Sequence, residues 1–198
     1  MPAPIDTLVT VFGGSGFLGR HVVRALAKRD YRIRVGVRRP ELAGHLQPLG
    51  KVGQIHAVQS NIRFPDSVRA ATRGVSTVVN LCGILSASGA QTFDAVQNKG
   101  AETVARAAAK IGARIVHVSA IGADADSKSR YARSKAAGEK AVRAADHNAI
   151  IMRPSVVFGP EDQFTNRFAA LARMSPALPL IGGETKMQPV TSAMSQRR

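Results

Sequence analysis

One cysteine, Cys82, in a chain of 198 residues rules out an internal disulfide framework. Tryptophan is absent and aromatics make up only 5% of the chain, against 44% hydrophobic residues. A core must therefore be built from Val, Ile, Leu and Ala, as in α/β proteins with buried parallel strands. No apolar stretch approaches the ~20 residues of a membrane-spanning helix. Met1 to Thr10 carries no basic-then-apolar leader, so a reducing, cytoplasmic compartment is expected. Acidic side chains are scarce as well: 13 Asp and Glu face 28 Lys and Arg, a net charge of +15. The cations form no tract. They are spread over Arg20, Arg24, Lys28, Arg29, Arg32 and Arg34 and recur through the later segments, with no zinc-ligand, RNA-recognition or heptad motif beside them. Nucleic acid is not an expected partner. A solvated basic surface and docking onto an acidic protein or membrane surface both fit the excess.

What is present begins with Val9-Thr10-Val11-Phe12-Gly13-Gly14-Ser15-Gly16-Phe17-Leu18-Gly19-Arg20. A β-branched run breaks into glycines, then resumes at helical spacing through Leu18, Val22, Val23 and Leu26, the pattern of strand, tight turn and helix. Gly13 permits the sharp turn, Gly16 lets a pyrophosphate approach the backbone, and Gly19 lets the helix pack against the strand. The helix N-terminus then offers unpaired N–H groups and a partial positive charge to phosphates. Gly13, Ser15, Gly16, Phe17, Leu18 and Gly19 are thus candidate cofactor-binding residues.

Farther along, Arg32–Val37 reads as a second strand and Pro40–Leu49 as a short helix. In dinucleotide folds that prefer NAD, an acidic residue roughly 20 positions past the glycines holds the ribose hydroxyl. Here Arg38 and Arg39 stand at the strand end and no acid occurs before Glu41. Guanidinium groups form paired, charge-assisted bonds with phosphate, so the 2′-phosphate of NADP is the expected ligand, with NAD(H) as the alternative. Strands are also expected at Gln54–Val58, Thr77–Leu81, Arg114–Ser119 and Ala149–Met152. Helices are expected from about Asp66 to Thr72, over Phe93–Ile111, from Tyr131 to about Asp146 and over Asn166–Met174. This alternation gives an α/β, Rossmann-type, doubly wound parallel sheet. Asn61 and Gly83, after the third and fourth strands, fall on the expected cofactor side. Cys82 is expected to be a small buried side chain and His117 a packed core histidine.

Tyr131 and Lys135 lie one helical turn apart, so a lysine cation beside the phenol favours its ionisation. Such a tyrosine moves a proton at a carbonyl or alcohol while hydride passes to or from nicotinamide, and Ser119 would bond the same oxygen. These three are the candidate catalytic residues, Tyr131 and Lys135 doubling as cofactor contacts. No metal site is expected.

From about Leu8 to Val190 the chain resembles the extended and atypical short-chain dehydrogenase/reductases. Within them it is similar to bacterial relatives of the NADPH-binding accessory subunit of respiratory complex I. The phrases that carry the resemblance are residues 11–20, Phe93-Asp94-Ala95-Val96-Gln97, His117 to Asp124, Tyr131 to Glu139 and Arg153 to Asp162. The resemblance implies a tightly held, structural NADP(H) and a place on the peripheral arm of complex I, on the membrane only through a partner. It also admits an active NAD(P)-dependent oxidoreductase or sugar-nucleotide epimerase/dehydratase working through Ser119, Tyr131 and Lys135, or a nucleotide-sensing scaffold. Two departures weigh against turnover: only eleven residues separate Ser119 from Tyr131, and Gln97 stands where many extended enzymes carry asparagine. The expected organisation is a dinucleotide-binding domain over 1–160, the start of a truncated C-terminal segment over 161–190, and a tail at 191–198. Read with G-ending codons and shifted by one base, Thr191–Arg198 becomes Tyr-Val-Gly-Asp-Val-Ala-Glu-Ala, the family continuation; the tail is therefore expected to be a frameshift product.

Overall fold

A computed structural model describes residues 6–162, 165–174 and 188–192. The chain divides into two compact units at Arg153 and Pro154, ahead of the boundary expected at residue 160. In the first unit, β1 (Leu8–Phe12), β2 (Arg32–Val37), β3 (Ile55–Gln59), β4 (Thr77–Asn80), β5 (Arg114–Val118) and β6 (Ile150–Met152) form one sheet in the order β3-β2-β1-β4-β5-β6, every pairing parallel. The order reverses between β1 and β4, which opens a crevice at the carboxyl ends of those strands.

The strands are apolar on both sides because both faces are covered. Val9, Val11, Ile33 and Val35 pack with Val23 and Ala27 of α1 (Phe17–Ala27) and with Leu46. Phe12, Val78 and Ile115 pack on the other face with Val68 of α2 (Pro65–Thr72), Val104 of α3 (Lys99–Lys110) and Val142 of α4 (Arg130–Ala145). Each of these side chains contributes about 1.5–3 kcal/mol by leaving water.

Two expected helices take other forms. Pro40–Leu49 is a pair of 3₁₀ turns, Pro40–Leu42 and Gly44–Leu49, since Gly44 weakens helix and Pro48 supplies no N–H. Phe93–Ile111 is a π-helical turn at Asp94–Asn98 running into α3. Thr92 starts it, its hydroxyl accepting from the Ala95 N–H at 3.1 Å.

In the second unit, β7 (Val157–Phe158) pairs in parallel with β8 (Val190–Thr191), and α5 runs Thr165–Met174. The Asp162 carboxylate caps α5, accepting from the Thr165 N–H at 2.5 Å and from the Gly159 N–H at 3.0 Å. Thr191 and the buried Ser192, first residues of the expected tail, end β8 and follow it; residues 193–198 and half of the expected 161–190 segment lie outside the described residues.

Candidate functional site: a glycine-lined cavity and a buried polar helix face

The turn after β1 is shaped by what its glycines lack. Gly13 has φ +77°, and a Cβ on it would stand 3.2 Å from the backbone of Leu81 and Cys82, where β4 ends. At Gly19 a Cβ would overlap the Gly13 carbonyl, so only glycine lets α1 start this close to β1. The Gly16 N–H donates to the Gly13 carbonyl at 3.1 Å and closes the turn. No acidic residue lies in the first turn of α1, whose N-terminal N–H groups face the crevice end.

A cavity of about 290 Å³ opens there, lined among others by Gly13, Ser15, Gly16, Arg38, Asn61 and Gly83. Among the described residues no Asp or Glu lines it, while two arginines, Arg38 and Arg63, do. The other glycine-turn candidates are not on its wall. Gly19 is buried in the α1 packing, Leu18 is half-buried, and Phe17 stacks edge-on with His21 at 5.6 Å. Arg39 is exposed at the start of the first 3₁₀ turn, off the lining. Cys82 also lines the cavity; burial pushes its thiol up to about 12, against the pull of Arg38 and Lys135, so it stays protonated and unreactive at neutral pH.

The second group of candidates lies on α4, whose first turn is capped by the Ser129 hydroxyl. Tyr131, Lys135 and Glu139 recur at four-residue spacing and share a face. Tyr131 is half-buried with its ring edge-on to Phe93 at 6.2 Å, and burial pushes its hydroxyl above the ordinary phenol value. Lys135 is only 5% exposed. Its Nζ donates to the Val118 carbonyl at 3.2 Å and lies 6.0 Å from the Tyr131 ring centre. Burial pulls its pKa below the ordinary lysine value, with Cys82 and Glu139 opposing. A Cβ on Gly83 would sit 3.3 Å from the Lys135 ammonium, so the glycine that lines the cavity also makes room for the lysine.

Ser119 follows β5, and its Oγ has no hydrogen-bond partner among the described residues. Its hydroxyl is buried beside the Glu139 carboxylate. Burial works against that carboxylate's charge, but Arg153 grips it with two donors, at 2.9 and 2.5 Å, and with Ser119 holds it below its ordinary value. His117, 1% exposed, meets the Asn80 amide at 3.2 Å through Nδ1. Burial lowers its pKa to about 4, assisted by the Lys135 charge, so the ring is neutral at pH 7.

Glu139, Arg153 and Gln97 are the participants that the spacing arguments did not assign. Gln97 is buried; its Oε1 accepts from the Ile84 N–H at 3.1 Å and its Nε2 donates to the Ser134 hydroxyl at 2.6 Å. The signal for Glu139 was its four-residue offset from Lys135 on a helix whose inner face is otherwise small. Arg153 and Gln97 had no such local signal.

Comparison with known proteins agrees with this geometry. The NAD dependent epimerase/dehydratase family matches residues 9–186. A ceramide reductase of Caulobacter vibrioides is 37% identical over 180 residues, covering 91% of this chain and 56% of the relative. The mitochondrial NADH dehydrogenase [ubiquinone] 1 alpha subcomplex subunit 9 of Arabidopsis thaliana is 38% identical over 187 residues, covering 92% and 46%. The chain thus spans about half the length of the curated relatives it matches. The X-ray structure of Pen from Bacillus thuringiensis superposes with a TM-score of 0.82 at 17% identity, covering 96% of this chain and 64% of that one, a likeness of fold. The glycine turn, the parallel sheet and these matches place the chain in the NAD dependent epimerase/dehydratase family, as a short-chain-dehydrogenase-like protein that binds a nicotinamide dinucleotide.

Proposed function

We propose that this chain holds NADP(H) in preference to NAD(H), as a retained cofactor of a protein that docks on the peripheral arm of a respiratory complex I. The observation that carries the preference is the cavity wall: Arg38 is on it and, among the described residues, no carboxylate is. A ribose 2′-hydroxyl asks for an acid there, and a 2′-phosphate asks for a guanidinium. Gly13, Ser15 and Gly16, which line the cavity at the turn before α1, suit the pyrophosphate, because the two glycines carry no side chain to hold it off the backbone. Asn61 and Gly83 would border the rest of the ligand, with Lys135 behind Gly83. When bound, the dinucleotide supplies or accepts hydride. Retention rather than turnover follows from α4. Lys135 is committed to the Val118 carbonyl, and the buried Ser119 hydroxyl makes no hydrogen bond to Tyr131. The complex I placement is supported by relatives that carry that subunit name. Among the described residues no helix is long and apolar enough to cross a membrane, which fits peripheral docking.

Calorimetry of NADPH and NADH on the chain and on Arg38→Ala tests the preference. NADPH is expected to bind the wild type at least about tenfold more tightly than NADH, with Arg38→Ala removing that margin and leaving NADH unchanged. Equal affinities in the wild type would overturn it.

A second reading is favoured by the 37% identity to a ceramide reductase: carbonyl reduction with Tyr131 as proton donor and Lys135 beside it. NADPH oxidation dependent on a carbonyl substrate, and abolished in Tyr131→Phe, would establish that reading instead.

A further inference from the structure

The cavity has two walls from different parts of the chain, and one side chain joins them. On one side is the turn after β3, where the Asn61 side-chain carbonyl accepts from the Arg63 N–H at 3.2 Å and the Ser67 hydroxyl bonds the Asn61 backbone twice, at 3.0 and 2.9 Å. On the other is the loop that leaves β4, which contributes Gly83, Ile84 and Gln91 to the lining. That loop is held at its inner end by Ile84 on Gln97, and farther out Ser88 and Gln91 exchange backbone bonds at 3.1 and 3.0 Å. Arg63 spans the gap: its Nη1 donates to the Ala90 carbonyl at 2.8 Å, and its guanidinium lies over the Phe64 ring at 5.6 Å.

We infer that Arg63 is a cofactor-retaining residue, a clasp between the two walls of the dinucleotide cavity that sets how fast the ligand leaves. This rests on the dinucleotide reading above. A guanidinium is suited to the task because its planar fork bonds the loop with one nitrogen and leaves further donors and a positive charge for an anionic ligand in the cavity that Arg63 lines. The turn that carries it is fixed by its own hydrogen bonds, so the clasp stands in place before ligand arrives. For an elongated ligand to leave, the β4 loop must part from the β3 turn, and the Arg63–Ala90 bond must break. In the empty protein this exposed bond opens far faster than ligand arrives, so entry is little affected; with ligand inside, Arg63's contact to it must be lost as well, and the effect falls on release.

The test is stopped-flow displacement of NADPH by excess NADP⁺, followed by nicotinamide fluorescence, on wild type, Arg63→Ala and Arg63→Lys. Arg63→Ala is expected to raise the dissociation rate constant about tenfold, with association changed by less than about twofold and the ligand-free melting temperature unmoved. Arg63→Lys, which keeps a charged donor, is expected to restore slow release. Unchanged release from Arg63→Ala, or a loss confined to association, would overturn the clasp while leaving NADPH binding intact. Failure of the wild type to bind NADPH saturably would overturn the dinucleotide reading and the clasp with it.

Discussion

The two ends of the candidate site are built on opposite principles. At the β1 turn the geometry comes from missing atoms: Gly13 and Gly19 bring backbone within reach of backbone, and no side chain is asked to do anything. Along the inner face of α4 and the end of β5 it comes from paired atoms, with Lys135 on a carbonyl, Glu139 held by Arg153, and His117 on Asn80. The first arrangement fails when something is added, and the second when something is removed. A phosphate is the same in every dinucleotide and can be met by bare backbone; positioned side chains inside a protein must each be given a partner, because an unpaired buried polar group costs about 1–3 kcal/mol.

The contrast is broken most severely at the turn. Gly19→Ala drives a methyl into the Gly13 carbonyl and is expected to cost about 3 kcal/mol, read as a drop in the urea midpoint with the slope unchanged. No loss, or a gain near the ~1 kcal/mol that Gly-to-Ala helix propensity provides, would show that α1 can slide away.

Next in size is an acid effect on the paired side. His117 has a folded pKa of about 4, below the ordinary 6.5, because burial favours its neutral form. Between those values the unfolded chain binds a proton and the folded chain does not, so stability rises with pH through the window and falls as the pH drops from about 6.5 to about 4. The part of that loss due to His117 is about 3 kcal/mol. His117→Gln is expected to flatten the slope between those pH values in denaturant titrations; an unchanged slope would assign the acid loss elsewhere. Glu139 acts lower on the scale: its carboxyl is held below its ordinary value, so its contribution is present above that value and is lost as the pH falls through the lowered one.

The smallest expected effect separates partner from charge. Glu139→Gln keeps a group for Arg153 and Ser119 but not the charge, and is expected to cost about 1 kcal/mol, less than Glu139→Ala. Equal losses for the two would mean that packing rather than pairing holds this face.

The sheet was legible because its signals are local and redundant. Alternation of strand and helix, β-branched runs and the glycine turn all indicate one topology, and each of the six expected strands falls within a residue or two of its observed span. The cavity residues Gly13, Ser15, Gly16, Arg38, Asn61 and Gly83 were legible for a related reason, since a parallel strand's carboxyl end is where its ligand-facing residues must be. Arg39 was not separable from Arg38 by sequence. Adjacent residues at a strand end point to opposite sides, and only the fold says which side is the cavity. The pairing of Glu139 with Arg153, and of Gln97 with Ile84 and Ser134, depends on how the helices are rotated against the sheet, which no spacing within one helix encodes. Pro40–Leu49 was misread as one helix because proline at the first position is also how helices begin, and Pro48 was the contrary signal.

The wide turn at Asp94–Asn98 has a consequence for the rod it opens. An α-helix advances about 100° per residue, so its inward stripe is a single phase from end to end. A π turn takes up an extra residue, and the stripe before it is spliced onto the stripe after it with a slip in phase. Here the leading part is keyed by Gln97 to the loop at Ile84, and the trailing part by Gly100 to Ile62 and by Val104 to the core. One rod thereby meets two neighbours, one on either side of the phase slip. The added residue acts as a vernier, setting the cavity wall independently of the packing behind it.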